Sequence, residues 1–273
     1  MKASVAGAAK YATLVLGCFA ALMPLVVVVI ASVKSADEFA ATGPFDLPSS
    51  LTLHNYAEAF TKGKMLLAFG NTTIILLVSI VGTILVGTMV AYAIDRFEFR
   101  FRRTVLSLFL LAALVPGVTT QVATFQVVNQ LGLFNTRGAA IALFMGTDIV
   151  SIYIFLQFMR SIPRALDEAA MLDGANHFTV YRRIILPNLK PAIATVIIIK
   201  GIAIYNEFYI PFLYMPSQKL PVISTSLFRF TGPFGAHWEV ISAGVIIVII
   251  PILVVFLALQ RYIYNGFTSG ATK

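Results

Sequence analysis

The sequence predicts an all-α membrane protein with six transmembrane helices. Of its 273 residues, 59% are hydrophobic and 12% are charged, whereas about a quarter of the residues of a soluble domain are charged. The mean hydropathy of +0.88 also excludes a disordered chain, because disorder requires few apolar residues and a high net charge. A single cysteine excludes a disulfide scaffold. The loops between the apolar segments are too short to form a soluble catalytic domain.

Six apolar segments reach the length of roughly 20 residues that a helix needs to cross the hydrocarbon core. They are residues 11–33, 65–94, about 20 residues from 104, 138–159, 191–215 and 240–259. The first is longer than the apolar core of a signal peptide, and no convincing cleavage site follows it directly, so we interpret it as a retained helix. We therefore divide the chain into an N-terminal span with the first extracytoplasmic loop, 1–64, and a transmembrane core, 65–273.

Lys and Arg are unevenly distributed between the connections, and this predicts the orientation, because cytoplasmic loops retain positive charge. Both termini, the second connection and the fourth connection together carry 13 of the 20 basic residues, whereas the opposite side carries six. Both termini are therefore predicted to lie in the cytoplasm. The net charge of +8 is then a topology signal, and we expect no binding of nucleic acid, which requires a basic face.

The fourth connection, residues 160–190, is the longest cytoplasmic loop and contains helical signals of its own. Ser161 is the expected N-cap of a helix of about ten residues, and Gly174 supplies a left-handed stop. Asn176 then caps a second helix, which Pro187 is expected to break before the fifth span. A short apolar helix at the cytoplasmic face of a membrane needs a partner to pack against.

A motif in this loop resembles a known family. Its residues are Glu168-Ala169-Ala170, then after three residues Gly174, after nine more Ile184, and after one more Leu186-Pro187. This matches the EAA-x3-G-x9-I-x-LP signature of permease subunits of bacterial ABC importers. Two further stretches are similar to the MalG-like branch that serves carbohydrates, namely Tyr205-Asn206-Glu207-Phe208 before Pro211, and Gln260-Arg261-Tyr262. The resemblance implies a type I ABC importer permease fold in the bacterial cytoplasmic (inner) membrane, in contact with lipid.

The resemblance also implies a function and a set of partners. The chain would form half of the translocation pathway for a sugar or oligosaccharide, together with a second homologous permease subunit as a heterodimer. Two ATPase subunits would bind ATP and Mg, and an extracytoplasmic solute-binding protein would deliver the solute. The motif implies that the short helix couples the permease to the ATPases, through Glu168, Ala169, Ala170, Gly174, Ile184, Leu186 and Pro187.

Catalytic and cofactor motifs are absent from the sequence. The chain has no G-x-x-x-x-G-K-[ST] phosphate loop, no H-E-x-x-H motif and no nucleophile elbow. We therefore expect this subunit to be non-catalytic and to bind no cofactor and no metal itself. If ATP drives transport, a separate subunit must bind it.

Charged residues inside spans are costly and are usually paired or functional. Asp148 lies about 18 Å above Arg160 in the fourth span, and Lys200 lies about 15 Å above Lys190 in the fifth. Since the two depths nearly match, we hypothesise that Asp148 and Lys200 face each other or the subunit interface. We favour this structural role over direct contact with the substrate.

Four polar or aromatic residues near the outer end of the fifth span form a candidate pathway or gate. They are Tyr205, Asn206, Glu207 and Tyr209. A carboxylate, an amide and aromatic rings suit a hydroxyl-rich ligand, but the same residues would also suit an outer gate held against the partner permease. Both interpretations remain open at this point.

Two other classes of transporter compete with the ABC importer. An ion-coupled secondary transporter of small polar solutes requires an internal repeat and ion-coupling residues near the midplane. The sequence shows no clear repeat, and the EAA loop occurs once. A passive channel would take up solute without ATP or a binding protein.

Overall fold

The structure of the chain is a computed structural model that describes residues 2–146, 148–232 and 235–271. Lys273, one of the charges assigned to the cytoplasm, lies outside the described residues. The chain forms two compact units, of which the first contains residues up to 66 with 225–260 and the second contains 67–224 with the residues after 260. The division into an N-terminal span with its loop, 1–64, and a transmembrane core, 65–273, stays a prediction.

Helices account for most of the described residues. Up to residue 160 they are α1 (Lys2–Ser32), α2 (Ala36–Ala41), α3 (His54–Lys62), α4 (Met65–Arg96), α5 (Arg102–Leu114), α6 (Gln121–Gln130), α7 (Arg137–Met145) and α8 (Ile149–Met159). Then follow α9 (Ala165–Leu172), α10 (His177–Val180), a π-helical turn (Tyr181–Ile185), α11 (Leu186–Asn188), α12 (Lys190–Asn206), α13 (Tyr209–Tyr214), α14 (Ile223–Ser226), a 3₁₀ turn (Leu227–Phe230) and α15 (Trp238–Ala271). A short antiparallel pairing of β1 (Thr231–Gly232) with β2 (Gly235–Ala236) is the one sheet among the described residues, and the predicted all-α class agrees with the predominance of helix.

The described residues contain fewer uninterrupted spans than the sequence predicted. Two helical segments are each long and apolar enough to cross a membrane, namely Lys10–Ser32 and α4. The number rises to four if the bent pair of α7 and α8 and the bent pair of α10–α11 and α12 each form one span. In α15 the apolar segment Trp238–Val254 is shorter. The count of six spans stays a prediction.

Proline accounts for the break in the third predicted span. α5 ends at Leu114, and Val115 adopts an extended conformation with ψ of 117°. Pro116 follows directly, and a residue before proline is pushed out of the helical region by a steric clash with the proline ring. The remainder of this segment continues as α6. The apolar segment that looks continuous in the sequence is therefore interrupted at its proline.

The core of the second unit lies where α4, α8 and α12 pack against one another. Phe155 and Met159 of α8 are fully buried there, with Ala91 of α4 and Val196 of α12. Gly87 allows α4 to approach α8 closely. A Cβ atom at this position would lie 2.9 Å from Cε2 of Phe155. Small residues at helix interfaces allow such close packing within a membrane.

We expect Gly87→Ala to destabilise the protein by about 1–3 kcal/mol, because the added methyl group forces the buried Phe155 ring to move. Gly70→Ala is the matched control, since Gly70 lies in the same helix and a Cβ there would meet nothing within 4 Å. The control is expected to be neutral or stabilising, because alanine favours the helix. Thermal unfolding of the two purified variants measures the difference. Equal melting temperatures would contradict this account of the α4–α8 contact.

In the first unit, the loop that follows α1 packs around a buried lysine. The side chain of Lys34, just after α1, is 1% exposed, and its Nζ donates to Thr42 Oγ1 at 2.8 Å and to the Gly43 carbonyl at 2.9 Å. Asn55 of α3 donates from Nδ2 to the carbonyls of Ser32 and Lys34. These hydrogen bonds offset the cost of burying the ammonium group and fasten the loop to the end of α1.

Candidate functional site

The helix predicted in the fourth connection is α9, and it begins later than the sequence indicated. Ser161 does not cap it, because the Ser161 hydroxyl donates to the Phe158 carbonyl at 2.6 Å instead. The backbone N–H groups of Asp167 and Glu168 both bond to the Arg164 carbonyl. α9 therefore has eight residues. The expected N-cap at Ser161 was wrong, whereas the length of eight residues is within the usual uncertainty of helix ends around the expected ten.

The end of α9 confirms the prediction for Gly174, which has a φ of +86°. The Ala175 N–H bonds to the Ala170 carbonyl and the Gly174 N–H bonds to the Met171 carbonyl, at 2.9 and 3.0 Å. This pair of bonds is the Schellman motif, which satisfies the last carbonyls of a helix and turns the chain sharply. A non-glycine residue would be strained in this left-handed conformation.

The segment after α9 carries the remaining motif residues into α12. Asn176 caps α10 as predicted, with its Oδ1 accepting from the Thr179 N–H at 2.8 Å. The prediction that Pro187 breaks the second helix was wrong. Proline is tolerated in the first turn of a helix, so α11 continues to Asn188 and the chain bends there by 69° before α12. Ile184 lies in the π-helical turn, a geometry that is frequent at functional sites.

The EAA motif presents two faces. Glu168, Ala169 and Pro187 are exposed, whereas Ala170, Ile184 and Leu186 are half-buried against the core of the second unit. Apolar side chains are exposed around the motif as well: Leu166 at 44%, Leu172 at 90% and Phe178 at 66%. Large exposed apolar side chains beside a motif of exposed small residues are candidates for contact with a partner. We name Leu166, Glu168, Ala169, Leu172 and Phe178 the outer face of the EAA loop.

Asp148 and Lys200 are brought together by α8 and α12. The distance between Lys200 Nζ and Asp148 Oδ2 is 3.0 Å, and the two side chains are 17% and 14% exposed. Asp148 is also the N-cap of α8, and the Ser151 hydroxyl donates to its Oδ2 at 2.5 Å. The Asp148 carboxylate therefore both caps α8 and pairs with the Lys200 ammonium.

The candidate gate residues surround the junction between α12 and α13. Glu207 Oε1 accepts from the N–H groups of Tyr209 and Ile210, at 2.8 and 3.2 Å, and so satisfies the free donors at the start of α13. The exposed Asn206 amide donates to the Ile202 carbonyl at 2.9 Å. The Tyr209 hydroxyl accepts a hydrogen bond from the Gln121 amide of α6. The structure brings Glu207 and Tyr209 together through backbone contacts, within a break in the fifth span.

A small cavity lies beside this junction. It has a volume of about 10 Å³ and is lined by Tyr205, Glu207, Thr72 and Ser224, among others. This volume holds about one water molecule, which is far too little for a sugar. No group of three or more His, Cys, Asp or Glu residues is placed to hold a metal ion within the part of the chain that the structure describes.

Sequence reasoning missed a set of buried charges at the start of the EAA loop. Arg96, the last residue of α4, contacts Asp167 of α9, and neither side chain is more than 8% exposed. The available signal was the Asp95-Arg96 pair, the first charged residues after a charge-free span. From sequence, Arg96 was counted only as a basic residue of the second connection, and Asp95 had no assigned role.

Comparisons with known proteins give the family. Residues 83–268 match the model for the binding-protein-dependent transport system inner membrane component. The chain is 30% identical over 255 residues to the melibiose/raffinose/stachyose import permease protein MelC of Bacillus subtilis (strain 168), which covers 92% of this chain and 91% of that protein. It is also 30% identical over 259 residues to the arabinooligosaccharides transport system permease protein AraQ of Halalkalibacterium halodurans, covering 93% and 92%.

The fold has a counterpart among solved structures. The crystal structure of a bacterial ABC transporter involved in the import of the acidic polysaccharide alginate matches with a TM-score of 0.82, over 95% of this chain and 96% of that chain. The sequence identity is 20%, so this likeness shows the fold alone. The family match covers α8, the EAA loop and α12 together. The chain therefore belongs to the family of binding-protein-dependent transport system inner membrane components.

Proposed function

We propose that this chain is the permease subunit of an ATP-driven ABC importer and forms half of the translocation pathway for a sugar or oligosaccharide. The sugar class is supported by the names of the relatives, which are permeases for melibiose, raffinose and stachyose and for arabinooligosaccharides. The other half is a second homologous permease subunit. An extracytoplasmic solute-binding protein delivers the solute, in accord with the family description.

The proposed topology has six spans and both termini in the cytoplasm of a bacterium. The distribution of basic residues supports it, with 13 on the proposed inner side and six on the outer side. This places the EAA loop inside the cell and the α12–α13 junction near the outer surface. ATP and Mg are bound by two partner ATPase subunits, and this subunit is non-catalytic.

The observation that carries the proposal is the outer face of the EAA loop. Glu168 and Ala169 are exposed on α9, and Leu172 and Phe178 add exposed apolar surface beside them. Alanine allows close approach of a partner backbone, and an exposed carboxylate accepts charge-assisted hydrogen bonds. We place the ATPase contact here, with Gly174 fixing the exit angle of α9 and Ile184, Leu186 and Pro187 linking it to α12.

Leu172→Asp tests the contact. We expect the variant to reduce the amount of ATPase that co-purifies with the permease at least fivefold, about 1 kcal/mol or more, because it places a charge in an apolar contact. Leu51→Asp is the matched control, since Leu51 is 78% exposed and lies in the first extracytoplasmic loop of the proposed topology.

The two possible results of this comparison have different meanings. Loss of ATPase from Leu172→Asp but not from Leu51→Asp supports the docking surface. Unchanged ATPase recovery in both variants would contradict it. Uptake of sugar by the purified complex in the absence of ATP would contradict the ABC importer as a whole. Dependence of that uptake on an ion gradient would then favour an ion-coupled secondary transporter over a passive channel.

A further inference from the structure

The inner end of α4 is joined to α9 by a cluster of buried charges, which we name the Arg96 clamp: Asp95, Arg96 and Asp167. Their side chains are 6%, 7% and 8% exposed. Arg96 Nη1 donates to Asp95 Oδ2 at 2.8 Å. Arg96 Nε lies 2.5 Å from Asp167 Oδ2 as an ion pair, without the geometry of a hydrogen bond. The third nitrogen, Nη2, donates to the Ile162 carbonyl at 3.0 Å. The Arg96 guanidinium therefore contacts three parts of the chain: the end of α4, the segment that precedes α9, and α9 itself.

Arginine suits this position because its planar guanidinium donates in several fixed directions at once. A lysine has one nitrogen and would not reach all three partners in this geometry. A second arginine strengthens the same joint, since Arg164 Nη2 donates to the Asp95 carbonyl at 2.8 Å. Each helix thus contributes an arginine to the contact: Arg96 at the end of α4 and Arg164 at the start of α9.

Charge balance makes Asp167 dependent on Arg96. Within the described part of the chain, Asp167 Oδ1 is buried without a hydrogen-bond partner, so the Arg96 guanidinium is the group that offsets the Asp167 charge. Asp95 has weaker additional contacts, with Arg102 at 3.9 Å and Arg160 at 4.0 Å. Removing one member of a buried ion pair leaves its partner uncompensated, so α9 and α4 separate only at a cost.

Two routes lead from α9 to the spans. The covalent route runs through α10, the π-helical turn and α11, and reaches α12 after a bend of 69°. The Arg96 clamp is a second route that bypasses this bend and reaches the end of α4 directly. α4 has 32 residues and is therefore about 48 Å long, enough to cross the membrane in one piece.

We propose that Arg96 is a positioning residue that locks α9 to α4, so that a displacement of α9 by the ATPases moves the second span as part of the same rigid body. The proposal rests on the proposed function, because it requires that ATPases move α9. The clamp adds a route of coupling that the EAA motif residues do not include. It predicts that α9 and the inner part of α4 keep a constant distance during the ATP cycle.

The test measures this distance in the assembled complex by double electron–electron resonance between two spin labels. The labels are attached at Met89→Cys of α4 and Asp173→Cys at the end of α9, both exposed positions, in a chain whose natural cysteine is replaced by Cys18→Ser. ATP with vanadate is added to close the ATPase subunits. In the otherwise unaltered chain we expect the distance to change by less than about 2 Å, since the two helices move together.

Arg96→Met and Asp167→Asn remove the clamp while conserving size. In both we expect the distance to change by about 5 Å on addition of ATP and vanadate, the scale of one helical turn, while the ATPase subunits still co-purify. The double variant should behave like the more affected single variant, because the two residues act through one another. Arg96→Lys, which keeps the charge, should give an intermediate change. Glu98→Gln, which removes an exposed carboxylate two positions beyond Arg96, is the matched control.

Three results would overturn the clamp: a distance that changes equally in the parent chain and the variants, a distance that stays constant in all of them, or single effects that add in the double variant. These results are distinguishable from failure of the proposed function. If Leu172→Asp releases the ATPases but the clamp variants behave like the parent, docking stands and the clamp is wrong. If Leu172→Asp retains the ATPases, the docking surface itself is wrong.

Discussion

Replacing Asp148 by asparagine is expected to destabilise the assembled permease by about 1–3 kcal/mol, because the change leaves the half-buried Lys200 ammonium without its counter-charge. Asparagine is as good a helix N-cap as aspartate, so the cap of α8 is conserved and the charge is the quantity that changes. Lys200→Met should cost less, since Asp148 keeps the hydrogen bond from Ser151. Chemical denaturation of the purified complex measures the free energy of unfolding.

The double variant Asp148→Asn with Lys200→Met decides whether the two residues act as a pair. We expect it to be more stable than Asp148→Asn alone, because neither charge is then left without its partner. The matched control is the pair of Glu58 and Lys62, at 2.7 Å, whose lysine is 70% exposed, so that Glu58→Gln leaves a hydrated ammonium and should cost less than about 1 kcal/mol. A double variant as unstable as the sum of both single variants would contradict the pairing.

The proximity of these two charges was predictable from sequence, whereas the shape of the helices that carry them was not. Counting 1.5 Å per residue from the cytoplasmic ends placed Asp148 and Lys200 at similar heights. The count assumed one continuous helix per span. In the structure Asp148 begins α8 instead of interrupting a longer helix, because its carboxylate competes for backbone donors as turn-forming side chains do.

In the EAA loop, the sequence predicted the backbone geometry correctly at positions where a single residue determines it. Gly174 and Asn176 act through their own backbone conformation and the next few residues, so their roles do not depend on the rest of the fold. Ser161 failed as a cap because the preceding helix offers its hydroxyl a closer carbonyl. Competition of this kind between two neighbouring helix ends is not visible in a propensity or a capping pattern.

The Arg96 clamp was out of reach of sequence analysis for a different reason. Periodicity shows which face of a helix is apolar, but not which helices become neighbours. Arg96 and Asp167 belong to different helices, and nothing in their spacing joins them. A charged pair directly after a charge-free span is ordinary in a cytoplasmic loop. Only the burial of their side chains distinguishes Arg96 and Asp167 from the other charged residues of the cytoplasmic loops.

Glu207 is the candidate gate residue whose interpretation the structure changes most. The sequence suggested either contact with a sugar or contact with the partner permease. The structure adds a contact within the chain, since Glu207 Oε1 accepts from two N–H groups at the start of α13. A carboxylate at a helix N-terminus also interacts favourably with the helix dipole. The Ser224 hydroxyl donates to the Glu207 carbonyl at 2.7 Å and fixes the same junction from the other side.

We therefore expect Glu207→Ala to lower sugar uptake about five- to thirtyfold, because loss of the cap costs about 1–2 kcal/mol at a junction that must keep its shape. Glu207→Gln keeps an acceptor oxygen for the two N–H groups and should retain uptake within about threefold, since only the stronger, charge-assisted part of the bonds is lost. The solute recovered from the co-purified binding protein, identified by mass spectrometry, serves as the transported sugar. Binding-protein docking is measured in the same preparations.

If Glu207→Gln abolishes uptake as Glu207→Ala does while docking is normal, the negative charge itself acts on the sugar, and the capping role is wrong. If both variants lose docking alone, Glu207 serves the outer surface, and contact with the sugar is excluded.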